Sequence, residues 1–334
     1  MSVTIKDVAR RAGVSTATVS RVLAGKTGVS EGLRESVLAA AQELAYQPSR
    51  VARSLRVQRS AIIGLIISDI QNPFFTSLVR AVEDVAYQHG YGVFLCNSDE
   101  DIEKERLYIE ILHAEKVAGV VISATGEEGN PSRVLVEAGI PVVAVDRRMK
   151  DLEVDTVVID NVSAACEIVG HLIGDGHRRI GAVVGPEGTT TGRERLEGYA
   201  RALREHDLPI LPELVRAGLP KEEFGYLSVS ELLSLSEPPT GLFTGNNLLT
   251  AGALRAIRER ELRIPDDIAL VAFDELDWMS LVEPGLTVVA QPTYDLGRAA
   301  AELLFDRVEG GAHPAEELVL TPTLVIRQSC ARHD

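Results

Sequence analysis

Two sets of residues in this chain have types and spacings that could do chemistry. The first runs Ser15-Thr16-Ala17-Thr18-Val19-Ser20-Arg21. At helical spacing Val19, Val22 and Leu23 point one way, and Thr16, Ala17, Ser20 and Arg21 point the other. Hydroxyls, methyls and a guanidinium on one outward face can hold phosphates and meet base edges. The second set lies just beyond strand-like apolar runs. It comprises Asn72-Pro73-Phe74-Phe75, Asp146-Arg147, Asp160-Asn161, the stretch Thr189 to Arg195, Gly245-Asn246-Asn247 and Phe273-Asp274, with Trp278 soon after. Carboxylates, amides, a guanidinium and aromatics suit a polyhydroxylated ligand. Aromatic faces stack on its C–H side while Asp, Asn and Arg fork around its hydroxyls.

The elements that must position the first set are short helices. Thr4 can cap a helix with Ile5, Val8, Ala9 and Ala12 on one face, and Gly13 stops it. Val14 is a small apolar plug, and Ser15 caps the second helix. Ser30 starts a third, with Leu33, Val37, Ala41 and Leu44 as its predicted core stripe. Two short helices joined by a Gly-containing turn form a helix-turn-helix, whose second helix enters the major groove. Gln47-Pro48 ends the third helix. Ser49 to Arg56 then carries three arginines in about two helical turns, too short to be stable alone, and reads as a hinge that folds on DNA with its symmetry mate. Charge agrees: residues 1–59 sum to +6 in a chain of net −15, so only this end is built to meet a polyanion.

The runs TIKDVARRAGVSTATVSRVL, GVS and ELAYQPSRVARSLR resemble the head and hinge of the lactose/galactose-repressor family of bacterial transcription regulators. The resemblance extends more loosely over the rest of the chain. It implies that Thr16, Ala17 and Arg21 meet base edges, Arg21 as a bidentate donor to guanine. It also implies that Leu55 wedges into the minor groove at the centre of a palindrome. Thr4, Ser15, Thr18, Ser20, Ser49, Arg50, Ala52 and Arg53 complete the DNA-facing set, mostly as phosphate and groove-wall contacts. Ala24 departs from the family, which often has Asn there.

From residue 61 apolar runs alternate with amphipathic stretches. Strands are predicted at 61–67, 93–95, 119–122, 142–145, 157–159, 180–184, 242–244 and 268–273. Helices are predicted at 74–89, 103–115, 162–175, 193–206, 222–233 and 248–260. This alternation means parallel sheets covered on both faces. The expected fold is a small all-α head on an α/β body of two doubly wound parallel-sheet subdomains. The body resembles the periplasmic-binding-protein-like type I fold. The expected division is a helix-turn-helix domain over 1–47, a hinge over 48–60, and an effector-binding and dimerisation domain over 61–334. Crossings near 160, 290 and 320 would give an N-subdomain of 61–160 plus 291–320 and a C-subdomain of 161–290 plus 321–334.

Ligands of open α/β sheets bind beyond the C-terminal ends of the strands, which here would line one cleft. By the resemblance, Phe75, Asp146, Arg195, Asn247 and Asp274 contact the effector, followed by Phe74, Thr191, Asp160 and Trp278. Asn246 belongs with them. Other readings stay open: Phe74 and Phe75 as core, Asp160 as a helix cap, Trp278 as packing and Arg195 as a surface ion pair.

An enzyme is the main rival, and its motifs fail. Gly174-Asp175-Gly176 precedes a strand instead of following one, so it is no dinucleotide fingerprint. The stretch from Gly185 to Arg193 lacks Gly-Lys-Ser/Thr, no serine has a GxSxG context, and no histidines have HExxH spacing. Cys96, Cys166 and Cys330 are far apart and odd in number, which predicts buried free thiols, no disulfide framework and no structural zinc. No cofactor is expected. No apolar run reaches the roughly 18 residues that span a bilayer, and the first residues lack a secretion signal, so a cytoplasmic protein is expected. The expected function is a DNA-binding transcriptional regulator, a homodimer on a palindromic operator, controlled by a small effector, a sugar above all. A sugar-binding protein without regulatory role and a purine-type corepressed regulator are the alternatives.

Overall fold

The computed structural model of the protein describes residues 3–23, 29–44, 46 and 60–330. The chain forms two compact units, a head up to Ala61 and a body from Ile62 onward. In the head, α1 (Ile5–Ala12) begins with a capping box: the Thr4 N–H and hydroxyl donate to the Asp7 carboxylate at 3.0 and 2.7 Å. Gly13, at φ 66°, ends it in the left-handed conformation that suits glycine. In α2 (Thr16–Leu23) the Thr18 N–H donates to the Ser15 hydroxyl at 3.1 Å, and α3 (Glu31–Glu43) closes the module. Val8, Ala9, Val19, Val22, Val37, Ala40 and Ala41 form its core. Leu33 corrects the expected stripe: it is 42% exposed in the first turn of α3, because so small a core closes over the Val37–Ala41 turn.

The body holds two six-stranded sheets. The first comprises β1 (Ile62–Ile67), β2 (Gly92–Asn97), β3 (Val120–Ile122), β4 (Val142–Val145), β5 (Asp155–Ile159) and β11 (Glu317–Leu320). The second comprises β6 (Ile180–Val184), β7 (Val215–Ala217), β8 (Gly241–Thr244), β9 (Ala269–Phe273), β10 (Thr287–Ala290) and β12 (Thr323–Val325). Their orders, 2-1-3-4-5-11 and 7-6-8-9-10-12, follow one plan, and only the β10–β12 pair is antiparallel. The inner strands are buried on both faces, which is why they read as unbroken apolar runs. The chain leaves the first sheet after Ile159, returns after Ala290 and leaves again between Leu320 and Thr323.

The helices are α4 (Phe74–Gln88), α5 (Ile102–Ala114), α6 (Arg133–Glu137), α7 (Asn161–Gly174), α8 (Thr190–Glu205), α9 (Glu222–Leu232), α10 (Asn247–Glu259) and α11 (Thr293–Glu309). The predicted ends shift by up to three residues. Four strands (β7, β10, β11 and β12) add to the predicted eight; β7, β11 and β12 are not fully buried and lack the apolar run that marks the equally short β3, β4 and β8. Helix pairs approach so closely that glycine is required at the crossing. A Cβ on Gly225 of α9 would lie 2.6 Å from the Leu249 carbonyl oxygen of α10, and one on Gly252 of α10 would overlap the Glu222 carbonyl of α9. No helix among the described residues is long and apolar enough to cross a membrane. Cys96 and Cys330 are buried, whereas Cys166 is only half-buried.

Candidate functional site

On the head, α2 turns Thr16, Ala17 and Arg21 outward, with Ser15 exposed beside them and Thr18 and Ser20 half-buried. The Ser15 and Thr18 hydroxyls pair at 3.0 Å, which fixes the first turn of the helix. Thr4 is exposed, its hydroxyl committed to Asp7. Ala24, Ser49, Arg50, Ala52, Arg53 and Leu55 lie outside the described residues.

In the body, the strand ends of both sheets line one cavity of about 510 Å³, counting its solvent-open mouth. Two aspartates define it. Asp146 follows β4 and Asp274 follows β9, with φ 66° and 73°. The Asp146 N–H donates to the Val157 carbonyl of β5 at 2.9 Å, and the Asp274 N–H donates to the Val289 carbonyl of β10 at 3.0 Å. The same left-handed strand end is thus used once in each lobe. Asp is among the few residues with a side chain that tolerate it, and non-glycine residues so held cluster at ligand clamps.

Arg195 of α8 lies between these carboxylates and is only 4% exposed. Its Nε donates to Asn161 Oδ1 at 2.9 Å, its Nη1 to the Gly245 carbonyl at 2.5 Å, and its guanidinium covers the Phe273 ring at 4.1 Å. Burial pulls its pKa down, and Asp274 and Asp146 oppose that. Burial likewise pushes the Asp146 carboxyl up, against Arg147 and Arg195. Asp274 accepts from the Asn247 N–H at 3.1 Å and from Gln291 Nε2 at 2.6 Å. Asn247 is buried and ties the lobes together, its Nδ2 donating to Asn72 Oδ1 at 2.8 Å.

Of the predicted effector residues, Phe74, Phe75, Asp146, Thr191, Arg195, Asn246 and Asp274 line this cavity, and Asn247 braces it from behind. Phe74 and Phe75 line the cavity and are core residues as well. Asp160 and Trp278 are corrections. Asp160 is exposed and caps α7, accepting from the Ser163 N–H at 2.9 Å. Trp278 packs against the core of the second lobe and does not line the cavity. Sequence reasoning missed Asp69, Glu100 and Gln291, which do line it. Gln291 follows β10, a strand the sequence analysis did not predict. Asp69 and Glu100 follow β1 and β2 within a few residues, so the strand-end rule could have found them.

A second missed group, Glu127, ties the loop after β3 to α8. It accepts from Thr190 Oγ1 at 2.7 Å and Arg193 at 2.8 Å, with Lys150 at 2.7 Å. Burial pushes its carboxyl up, but the Arg193, Lys150 and Thr190 hydrogen bonds outweigh that and hold it at about 2. A depressed folded-state pKa stabilises above the unfolded value of 4.5, and the effect is lost as pH falls from there toward 2. The shift corresponds to at most ~3 kcal/mol. Urea midpoints between pH 4.5 and pH 2 should therefore fall more steeply for the native chain than for Glu127→Gln. Parallel curves would show that Glu127 carries no such coupling.

Among the described residues, His171, Asp175 and Cys330 bring three possible metal-ligand atoms within 4.8 Å of one another. That is a proximity the sequence did not reveal, and one ligand short of a closed structural zinc site.

The lacI family of bacterial regulatory proteins matches residues 4–49, and the periplasmic binding protein-like domain matches residues 169–330. The chain is 39% identical to the ribose operon repressor of Halalkalibacterium halodurans, over 98% of this chain and 96% of that one. It is 36% identical to the HTH-type transcriptional repressor PurR of Pectobacterium carotovorum, over 98% and 97%. Among solved structures, the lac repressor dimer bound to operator and the anti-inducer ONPF superposes with a TM-score of 0.83 at 28% identity, over 99% of this chain and 100% of that one. A regulator from Enterococcus faecium with bound ribose gives 0.72 at 30% identity, over 82% and 100%.

Proposed function

We propose that this chain, which belongs to the lacI family of bacterial regulatory proteins, answers to a monosaccharide and reads a palindromic operator as a homodimer. It is a DNA-binding transcriptional repressor controlled by a small effector, not an enzyme. The observation that carries the monosaccharide reading is the pair of strand-end aspartates, one per lobe, with Arg195 between them and Phe74 and Phe75 as an apolar wall. Two carboxylates and a fork of donors match vicinal hydroxyls. A purine would want parallel aromatic faces, but the two Phe rings stand at 87°, edge to face. A repressor of a ribose operon stands among the relatives, and a neighbouring structure holds ribose, so D-ribose is the first probe. Calorimetric titration against pentoses, hexoses and nucleobases tests this. One stereoselective sugar hit that also changes operator affinity supports it; a nucleobase hit with silent sugars rejects it.

The exposed apolar side chains of the first lobe support dimerisation. Phe94 and Leu95 lie on the edge strand β2, Tyr87 on α4, and Leu107 and Ile111 one turn apart on α5. An uncovered edge strand with apolar neighbours calls for a partner. Asn247–Asn72, Lys221–Asp69 and Thr190–Glu127 join the lobes across the cavity. An effector acts by changing how those lobes meet, and operator affinity follows through the segment carrying Ser49, Arg50, Ala52, Arg53 and Leu55. DNA must change effector affinity by the same factor.

Arg21→Ala should weaken operator binding by ~1–3 kcal/mol and relax specificity at one base position. Competition against single-base operator variants measures it. Equal losses on every sequence would make Arg21 a phosphate contact instead.

A further inference from the structure

We propose that the effector is an uncharged sugar, and that the cavity's own carboxylates exclude its phosphorylated and acidic forms. This rests on the monosaccharide reading above. Four carboxylates (Asp69, Glu100, Asp146 and Asp274) line the cavity against two guanidiniums, Arg147 and Arg195. Both guanidiniums are largely committed. Arg147 forks onto Glu100 at 2.6 and 2.8 Å and donates to the Ala124 carbonyl at 3.0 Å. Arg195 spends Nε on Asn161 and Nη1 on the Gly245 carbonyl, and what remains of its fork faces two aspartates. The ammonium of Lys221, beside the lining Pro220, is bound by Asp69 at 2.8 Å and by Asp99 at 2.7 Å.

Helix N-termini are the other usual anion sites, and at three of them a protein oxygen already takes one first-turn N–H. The Phe74 N–H of α4 donates to Asn72 Oδ1 at 3.0 Å, the Gly192 N–H of α8 to Thr189 Oγ1 at 3.2 Å, and the Asn247 N–H of α10 to Asp274 Oδ2 at 3.1 Å. A phosphate entering this cavity loses its hydration, finds these donors taken, and lies beside unmatched negative charge. A neutral sugar instead brings hydroxyl donors to the same carboxylates and is favoured by what repels the anion. Phosphoryl transfer from a nucleoside triphosphate to a sugar hydroxyl, which releases the nucleoside diphosphate and a proton, is then the class of reaction that removes the signal, because it turns a ligand into a non-ligand.

The test titrates the full chain with D-ribose and other neutral monosaccharides, each beside its phosphate and its sugar acid. The expected result is a neutral sugar that binds at least 100-fold more tightly than its charged partners. In Asp69→Asn, which removes one of the four cavity charges and leaves Lys221 paired with Asp99 alone, that gap should narrow about tenfold. A phosphate or acid that binds as tightly as its neutral parent, or alone, overturns the inference and leaves the monosaccharide reading standing. Silence of all sugars, neutral and charged, overturns that reading and the inference with it.

Discussion

Arg195→Leu should lose effector binding altogether, with operator affinity no longer responding to the sugar. Arg195 is buried, holds Asn161 and the Gly245 carbonyl, and offsets the charge of Asp146 and Asp274, so its loss removes a ligand contact and loosens the cavity wall together. Hydrogen bonds to charged groups are worth ~1.5–3 kcal/mol each, so even one lost ligand contact means roughly tenfold to a hundredfold in Kd. Arg195→Lys separates the two effects. It keeps a positive charge but cannot serve Asn161 and the Gly245 carbonyl together. It should fold with a modestly lowered Tm, bind operator as the native chain does, and bind sugar at least tenfold more weakly. Calorimetry for the sugar and titration of labelled operator for the DNA give both readouts. Native sugar affinity in Arg195→Lys would remove Arg195 from the effector contacts and make it a brace of the second lobe.

The largest stability effect should come from Gly252→Val. Gly252 and Gly225 face each other's helices at the α9–α10 crossing, and a Cβ at either meets main chain, which cannot rotate away as a side chain can. Overpacking usually costs ~1–3 kcal/mol and occasionally more. Against rigid backbone the upper end is expected, about 10 °C in Tm for a body of this size. Gly174→Ala is the control. A Cβ there meets nothing within 4 Å, so the change should leave Tm equal or raise it slightly. Equal melting of both variants would show that the two helices can separate without loss.

The difference between Asp160 and Asp274 shows how far the sequence reached. Both are aspartates just after a strand and just before or beside a helix. Asp160 turns its carboxylate onto the first turn of its own helix, whereas Asp274 stands in the left-handed region and serves a helix twenty-seven residues earlier in the chain. No local pattern separates those outcomes, because the choice is made by the neighbouring strand that accepts the Asp N–H. The long buried strands were legible as unbroken apolar runs and the amphipathic helices by their period. So was the head, whose caps and turn are local. The resemblance pointed Arg195 and Phe75 to the cavity they line, where residue types alone left a surface ion pair or core. Gln291 escaped because the strand before it was not predicted, and Leu33 was misplaced because periodicity says which face is inward but not where a small core ends.

The matched strand ends of Asp146 and Asp274, set in two sheets of one strand order, amount to an internal duplication in which each half offers the same grip. A grip repeated from both sides carries no polarity of its own; a ligand turned end over end would meet the same pair of aspartates. Polarity comes from what the halves do not share. Asp146 is followed by a buried arginine locked to Glu100, and Asp274 by a glutamate bound to Arg327. An effector held by this pair would take its orientation from those neighbours, and drift in them is the simplest route by which such a repeat acquires a new effector while keeping its hold.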